Sequence, residues 1–170
     1  MRRQISFLYF LFLVPSAGFS QVISKVESYP KILCYASIVH PVITIDKDGT
    51  TFNFSKSYTV GFPFGINFLK SNKVGFSLEF APFIRAENGT SKVTNLLFHP
   101  GLMFRYKNGF TFITRLAFGT DGRYGVTPVF NKIFLREKYG NYFISVSMPF
   151  RTGNEKPSSV GFSAQIGIIF

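Results

Sequence analysis

Tryptophan is missing from the 170 residues, cysteine occurs once and histidine twice, and only 8 acidic side chains face 19 basic ones. Each shortage excludes something. A lone cysteine, Cys34, cannot close an intramolecular disulfide, so the fold must hold without one. His40 and His99 come with no metal-ligand spacing around them. Asp46-Lys47-Asp48-Gly49 opens like a calcium loop but lacks the later ligands and the closing Glu, which leaves a turn. Gly119-Thr120-Asp121-Gly122 precedes no helical pattern, so it is turn chemistry rather than a phosphate cradle. Long apolar runs are also scarce. The longest, near the N-terminus, falls short of the roughly 20 residues a membrane helix needs.

That N-terminal stretch has another reading. Met1-Arg2-Arg3 is basic, 5–14 is apolar except for Ser6, and Ser16-Ala17-Gly18-Phe19-Ser20 is rich in small residues. This is the pattern of a secretory signal peptide over residues 1–20, cleaved between Ser20 and Gln21. The mature chain, 21–170, is then one domain with 17 basic and 8 acidic residues, net +9. A basic chain invites a nucleic-acid reading. Export argues against it, as does the lack of any basic cluster on a predicted helix. Basic side chains at the rim of a membrane protein can instead meet lipid phosphates.

Phenylalanine is abundant, with 23 copies, and it recurs at every second position. Eight alternating runs follow: 33–45, 58–69, 74–85, 95–107, 110–118, 124–135, 142–151 and 160–170. Each meets or nearly meets the 9 to 11 residues of a tilted membrane strand. In the second run Tyr58, Val60, Phe62, Phe64, Ile66 and Phe68 share one face, while Thr59, Gly61, Pro63, Gly65 and Asn67 share the other. In the third, Phe76, Leu78 and Phe80 oppose Gly75, Ser77 and Glu79. Pro41 and Pro128 predict bulges, because a strand proline removes a ladder donor. With no tryptophan, Tyr and Phe must supply any aromatic girdle.

Connections alternate in length. Tight ones fall at 70–73, at Asn108-Gly109 (the preferred pair for a two-residue type I′ hairpin) and around 138–141. Longer polar ones fall at 46–57, 86–94, 119–123 and 152–159. Face alternation and loop alternation give one topology, an all-β, closed, antiparallel up-and-down transmembrane β-barrel of eight strands.

In the last run Val160, Phe162, Ala164, Ile166, Ile168 and Phe170 oppose Gly161, Ser163, Gln165 and Gly167. With its final aromatic, this run resembles the C-terminal strand of small bacterial outer-membrane β-barrel proteins. The resemblance covers 21–170. It implies an integral outer-membrane location, long loops outside and both termini periplasmic. It further implies outer-membrane lipid and the barrel assembly machinery as partners, with Phe170 as the assembly signal.

Glu79, Arg85, Arg105 and Arg115 project to the polar side of their runs. Eight strands enclose just enough room for their own side chains. These charges are therefore expected to pair in a filled lumen, since isolated buried charge is costly. Glu79 and Arg115 each lie five residues above the tight-turn rim, with Gly101 between them, so they form the expected ion pair. Arg105 is the substitute partner. No local motif joins either histidine to a nucleophile or an orienting carboxylate, and no cofactor is implied. The expected function is non-enzymatic, an envelope-structural or loop-mediated partner-binding barrel whose extracellular partner the sequence leaves open. Two alternatives stand beside it: a lipid A-modifying barrel enzyme using His99 or His40, and a secreted lipocalin-like carrier. The carrier needs its bulky residues inside.

Overall fold

A computed structural model of the chain describes residues 28–170; the expected signal peptide and residues 21–27 lie outside the described residues. The described residues form one antiparallel sheet that closes on itself. Its strands are β1 (Lys31–Asp46), β2 (Gly49–Phe52), β3 (Tyr58–Gly61), β4 (Phe64–Leu69), β5 (Val74–Glu87), β6 (Thr90–Arg105), β7 (Phe110–Gly119), β8 (Tyr124–Glu137), β9 (Gly140–Ser147), β10 (Phe150–Thr152) and β11 (Ser159–Ile169). β3 and β4 are two halves of one stave, and so are β9 and β10. β2 is a short hairpin return above β1. Eight staves remain, and the ring closes where β1 pairs with β11 from Tyr35 opposite Ile169 to Asp46 opposite Ser159. Cys34 and Phe170 exchange two backbone hydrogen bonds of 2.9 Å at the end of that seam. Closure leaves no free sheet edge in the ring.

Side chains alternate across the wall as the period of a strand demands. Phe64, Ile66 and Phe68 on β4 point outward and stay exposed, while Asn67 and Leu69 are buried inside. On β9 Ile144 and Val146 are outward, and Phe143, Ser145 and Ser147 inward. The outward face carries two bands of phenylalanine. Phe64, Phe80 and Phe98 are register neighbours with ring centroids 6.0 and 5.2 Å apart. Nearer the short turns, Phe104, Phe112 and Phe130 repeat the pattern at 6.4 and 5.1 Å. Such cross-strand aromatic pairs stabilise a sheet beyond their buried area.

The prolines interrupt the wall in different ways. Register slips between Pro41 and Ile43, where a bulge was expected. No slip occurs at Pro128, which pairs with Thr114 in an unbroken β7–β8 ladder. The break sits opposite, at Met148-Pro149, and the Pro128 carbonyl still accepts the Met148 N–H at 3.0 Å. Pro63 likewise separates β3 from β4. Two connections also differ from expectation. The 86–94 segment is mostly strand, because β5 and β6 run on to a two-residue turn at Asn88-Gly89, both with positive φ (48° and 74°). Asn108-Gly109 has positive φ at both residues, but Tyr106 pairs with Phe110, so Lys107 makes the loop three residues long.

Candidate functional site

The polar interior is built where strand alternation sends charged and hydroxyl side chains inward at one level. Glu79 on β5 is 3% exposed and stands opposite His99 on β6. Its Oε1 accepts from His99 Nδ1 at 2.9 Å. Its Oε2 meets Arg115 Nη1 at 3.0 Å and accepts from the Tyr35 hydroxyl at 2.8 Å. Arg115 Nη2 donates to Tyr35 Oη at 3.0 Å and to Ser77 Oγ at 3.2 Å. The guanidinium also lies 5.9 Å from the centroid of the Tyr35 ring. β1, β5, β6 and β7 are thus tied across the lumen by one carboxylate.

Glycine makes this crossing possible. Gly101 lies on β6 between Ser77 and Arg115, on the same rung as both. A Cβ there would fall 2.6 Å from Arg115 Cγ and 2.5 Å from the Thr114 carbonyl oxygen. With no side chain in the way, Arg115 passes over β6 to reach Glu79. The two residues are not level, as equal counting from the rim would have them. Arg115 shares its rung with Ser77, two residues short of Glu79, because a closed barrel is sheared. The long guanidinium arm spans the offset.

His99 carries the network upward. Arg151 Nη2 lies 3.1 Å from His99 Nε2. Arginine has only donors and an ionised carboxylate only acceptors, so this ring is the neutral form with its proton on Nδ1. Its remaining lone pair is taken by Arg151. Arg123, higher still, donates from Nη2 to the carbonyls of Arg151 and Pro157 and to Ser159 Oγ. These bonds tie the 119–123 and 152–159 connections together.

Two cavities flank the plug. The upper, about 260 Å³, includes Arg123, Arg151, Asp121 and His99 in its walls. The lower, about 380 Å³, is floored by Leu69, Met103 and Ile113 and bordered by Lys31, Arg105 and Arg136. Arg115 and Gln165 line both, so the partition is one layer of side chains thick. Asn67 Oδ1, Thr127 Oγ1, Arg115 Nε and Arg123 Nε are buried without a hydrogen-bond partner among the described residues, and each residue borders a cavity. Cavities of this size and polarity have room for bridging water.

Of the charges expected inside, the structure brings Glu79 and Arg115 together. Arg105 does not join them. It ends β6 at the short-turn rim, and its Nη1 donates to the Tyr29 hydroxyl at 3.3 Å. Arg85 is not a lumen charge either. It stands beyond the register shift that the β6 bulge at Thr94 makes, half-exposed, paired with Glu87 at 3.0 Å. His99, for which no carboxylate was found along the sequence, has one directly across the hairpin. His40 lies apart on the outer face, opposite Ala164, with Nδ1 2.9 Å from the Tyr58 hydroxyl. Sequence reasoning missed Tyr35, Ser77 and Arg151 as members of the cluster. Arg151 had a usable signal, since it keeps the parity of the inward Ser145 and Ser147.

No known protein-family model matches the chain, and none of the curated proteins compared with it does. Among solved structures it is similar to a de novo designed transmembrane β-barrel, at 12% identity and a TM-score of 0.45, over 85% of this chain and 98% of the design. A second de novo design, solved by solution NMR, matches at 11% identity and a TM-score of 0.44, over 85% of this chain and 96% of the other. The fold assignment itself comes from the closed ring of eight hydrogen-bonded staves.

Proposed function

We propose that this chain is a non-enzymatic, integral protein of the bacterial outer membrane whose lumen is closed by its own side chains. Its role in this reading is structural, or lies in the loops of the long-connection rim binding an extracellular partner still to be identified. The observation that carries the proposal is the inverted distribution of polarity. Large apolar side chains (Phe64, Phe80, Phe130, Ile144, Ile166) are exposed all round the wall, while Glu79, His99 and Arg115 are buried within it. A soluble barrel would reverse this, as burial of apolar surface drives folding in water. A lipocalin-like carrier is disfavoured on the same ground. In a bilayer the arrangement satisfies every requirement, since the closed ladder pairs the backbone and lipid covers the apolar face.

The lipid-modifying enzyme reading draws on the Glu79–His99 contact, which resembles the base-orienting half of a triad. A working triad would aim Nε2 at a nucleophile, and here Nε2 meets Arg151. That geometry favours the structural role. Membrane fractionation and planar-bilayer recording test the proposal together. The protein is expected in the outer-membrane fraction, with no sustained open-channel current. Recovery as a soluble periplasmic or secreted protein would overturn the location. A steady conductance would overturn the filled lumen.

A further inference from the structure

Charge is divided unequally between the two rims. Among the described residues, Arg115 and Glu79 balance each other at mid-barrel. The long-connection end holds seven basic and five acidic side chains, if Arg151 in the upper cavity is counted with it. The short-turn end holds eight basic and one acidic, Glu137, a net +7. Lys70 and Lys73 flank the first short turn, Arg105 and Lys107 border the second, and Arg136 and Lys138 border the third. Lys31 opens β1 at the same level, opposite Leu69. The basic ring therefore runs around the circumference rather than gathering in one loop.

Aromatic side chains are interleaved with it. Tyr106 and Tyr139 are exposed, and Lys138 Nζ lies 5.1 Å from the Tyr139 ring centroid. Lys132 is the informative member. It projects from the outer wall of β8 between Phe110 on one side and Ile144 on the other. Its Nζ lies over Phe110, 3.9 Å from the ring centroid, and donates to the Asn108 carbonyl at the rim. This is the posture of a snorkelling lysine, with its apolar stem along the greasy wall and its charge lifted to the polar boundary. The charge of Lys132 is thus carried to the short-turn rim, where the other cations of this end stand.

We propose that the short-turn rim is a binding surface for anionic phospholipid headgroups, whose phosphates it holds with a ring of lysine and arginine. The inference rests on the membrane reading above. Cations held within a Debye length of a negatively charged leaflet are attracted to it, and the attraction is screened by salt. The neighbouring tyrosines are suited to the same headgroup layer. The opposite rim, with its charges nearly balanced, lacks this preference.

The test uses the full mature chain reconstituted into phosphatidylcholine vesicles doped with spin-labelled phosphatidylglycerol or phosphatidylcholine. Heat-modifiable migration on gels first reports whether the barrel has folded and inserted; failure there counts against the membrane reading and not against the rim. In the inserted protein, phosphatidylglycerol is expected to associate about threefold or more in preference to phosphatidylcholine, with the preference falling at high salt. The combined Lys70→Gln, Lys73→Gln, Lys107→Gln and Lys138→Gln variant should lose most of it. The matching variant of the other rim, Lys47→Gln, Lys56→Gln, Lys92→Gln and Lys156→Gln, should keep it. Equal association of both lipids, or loss only in the second variant, would overturn the proposal. So would displacement of the anionic lipid by inorganic phosphate at equimolar concentration, which would mark a site for free phosphate instead.

Discussion

One carboxylate, Glu79, organises the interior, because it is the acceptor on which Tyr35, His99 and Arg115 converge. Its removal alone would leave the guanidinium buried and without its counter-charge. Glu79→Ala is therefore expected to cost about 3 to 5 kcal/mol, and Arg115→Ala a comparable amount. The paired replacement Glu79→Leu with Arg115→Met should cost much less than the sum, since it removes both charges and fills the space. Denaturant unfolding of the folded barrel in detergent micelles or vesicles, arranged as a double-mutant cycle, measures the difference. Additive losses would mean that the two side chains do not interact. Gly101 sets the condition for the pair. Any larger residue there meets Arg115 and the β7 backbone, so Gly101→Val should weaken the same coupling without touching a charge.

Among the elements, β4 and β5 define which side of the wall is which. Phe64 is 52% exposed on the outer face and stacks on Phe80, one strand away. With lipid against that face, Phe64→Arg is expected to lower barrel stability by about 2 to 4 kcal/mol if it lies near the bilayer midplane, and by less near an interface. Reversible unfolding titrations in vesicles give the value. A neutral result in vesicles would mean that water, not hydrocarbon, covers this wall. The β5–β6 hairpin shows how an element can be read more closely than the alternation alone allows. A two-residue turn at Asn88-Gly89 pairs Glu87 with Thr90 and, counted down the ladder, would set Glu79 opposite Phe98. That pairing puts an inward residue against an outward one. The conflict is relieved by one extra residue, and Thr94 on β6, opposite the step from Phe83 to Ile84, supplies it as a bulge, so Glu79 meets His99. The turn signal and the face pattern together imply a bulge in this hairpin, though not its place.

At the scale of the whole molecule the two rims are unlike, in loop length and in charge. The short turns at 70–73, 107–109 and 138–139 lie at one end, and the longer connections with the β1–β2 and β5–β6 hairpins project from the other. In the proposed orientation the second end faces outward. Single cysteines at Thr51, Lys92 and Lys156, introduced on a Cys34→Ser background, should react with an impermeant maleimide on intact cells. Cysteines at Lys73 and Lys138 should react only after the outer membrane is opened. The reverse pattern would turn the barrel over in the membrane while leaving its fold untouched.

The alternation of large apolar and small polar residues, by itself, determined the strand number, the closed antiparallel class and the inside and outside of the wall. It could do so because a strand's side-chain period is fixed at two, and a membrane barrel must satisfy that period on every stave. Glu79 and Arg115 were legible as inward partners for the same reason, and Gly101 as the gap between them. Tertiary structure alone decided the heights. Shear sets Arg115 level with Ser77, bulges at Val42 and Thr94 shift the rungs above them, and the break at Pro149 leaves Arg151 within reach of His99. Each is a displacement of one or two residues, too small to disturb the alternating pattern. Each is still large enough to choose which side chains meet, because rungs two residues apart differ by about 7 Å while a hydrogen bond tolerates only a few tenths.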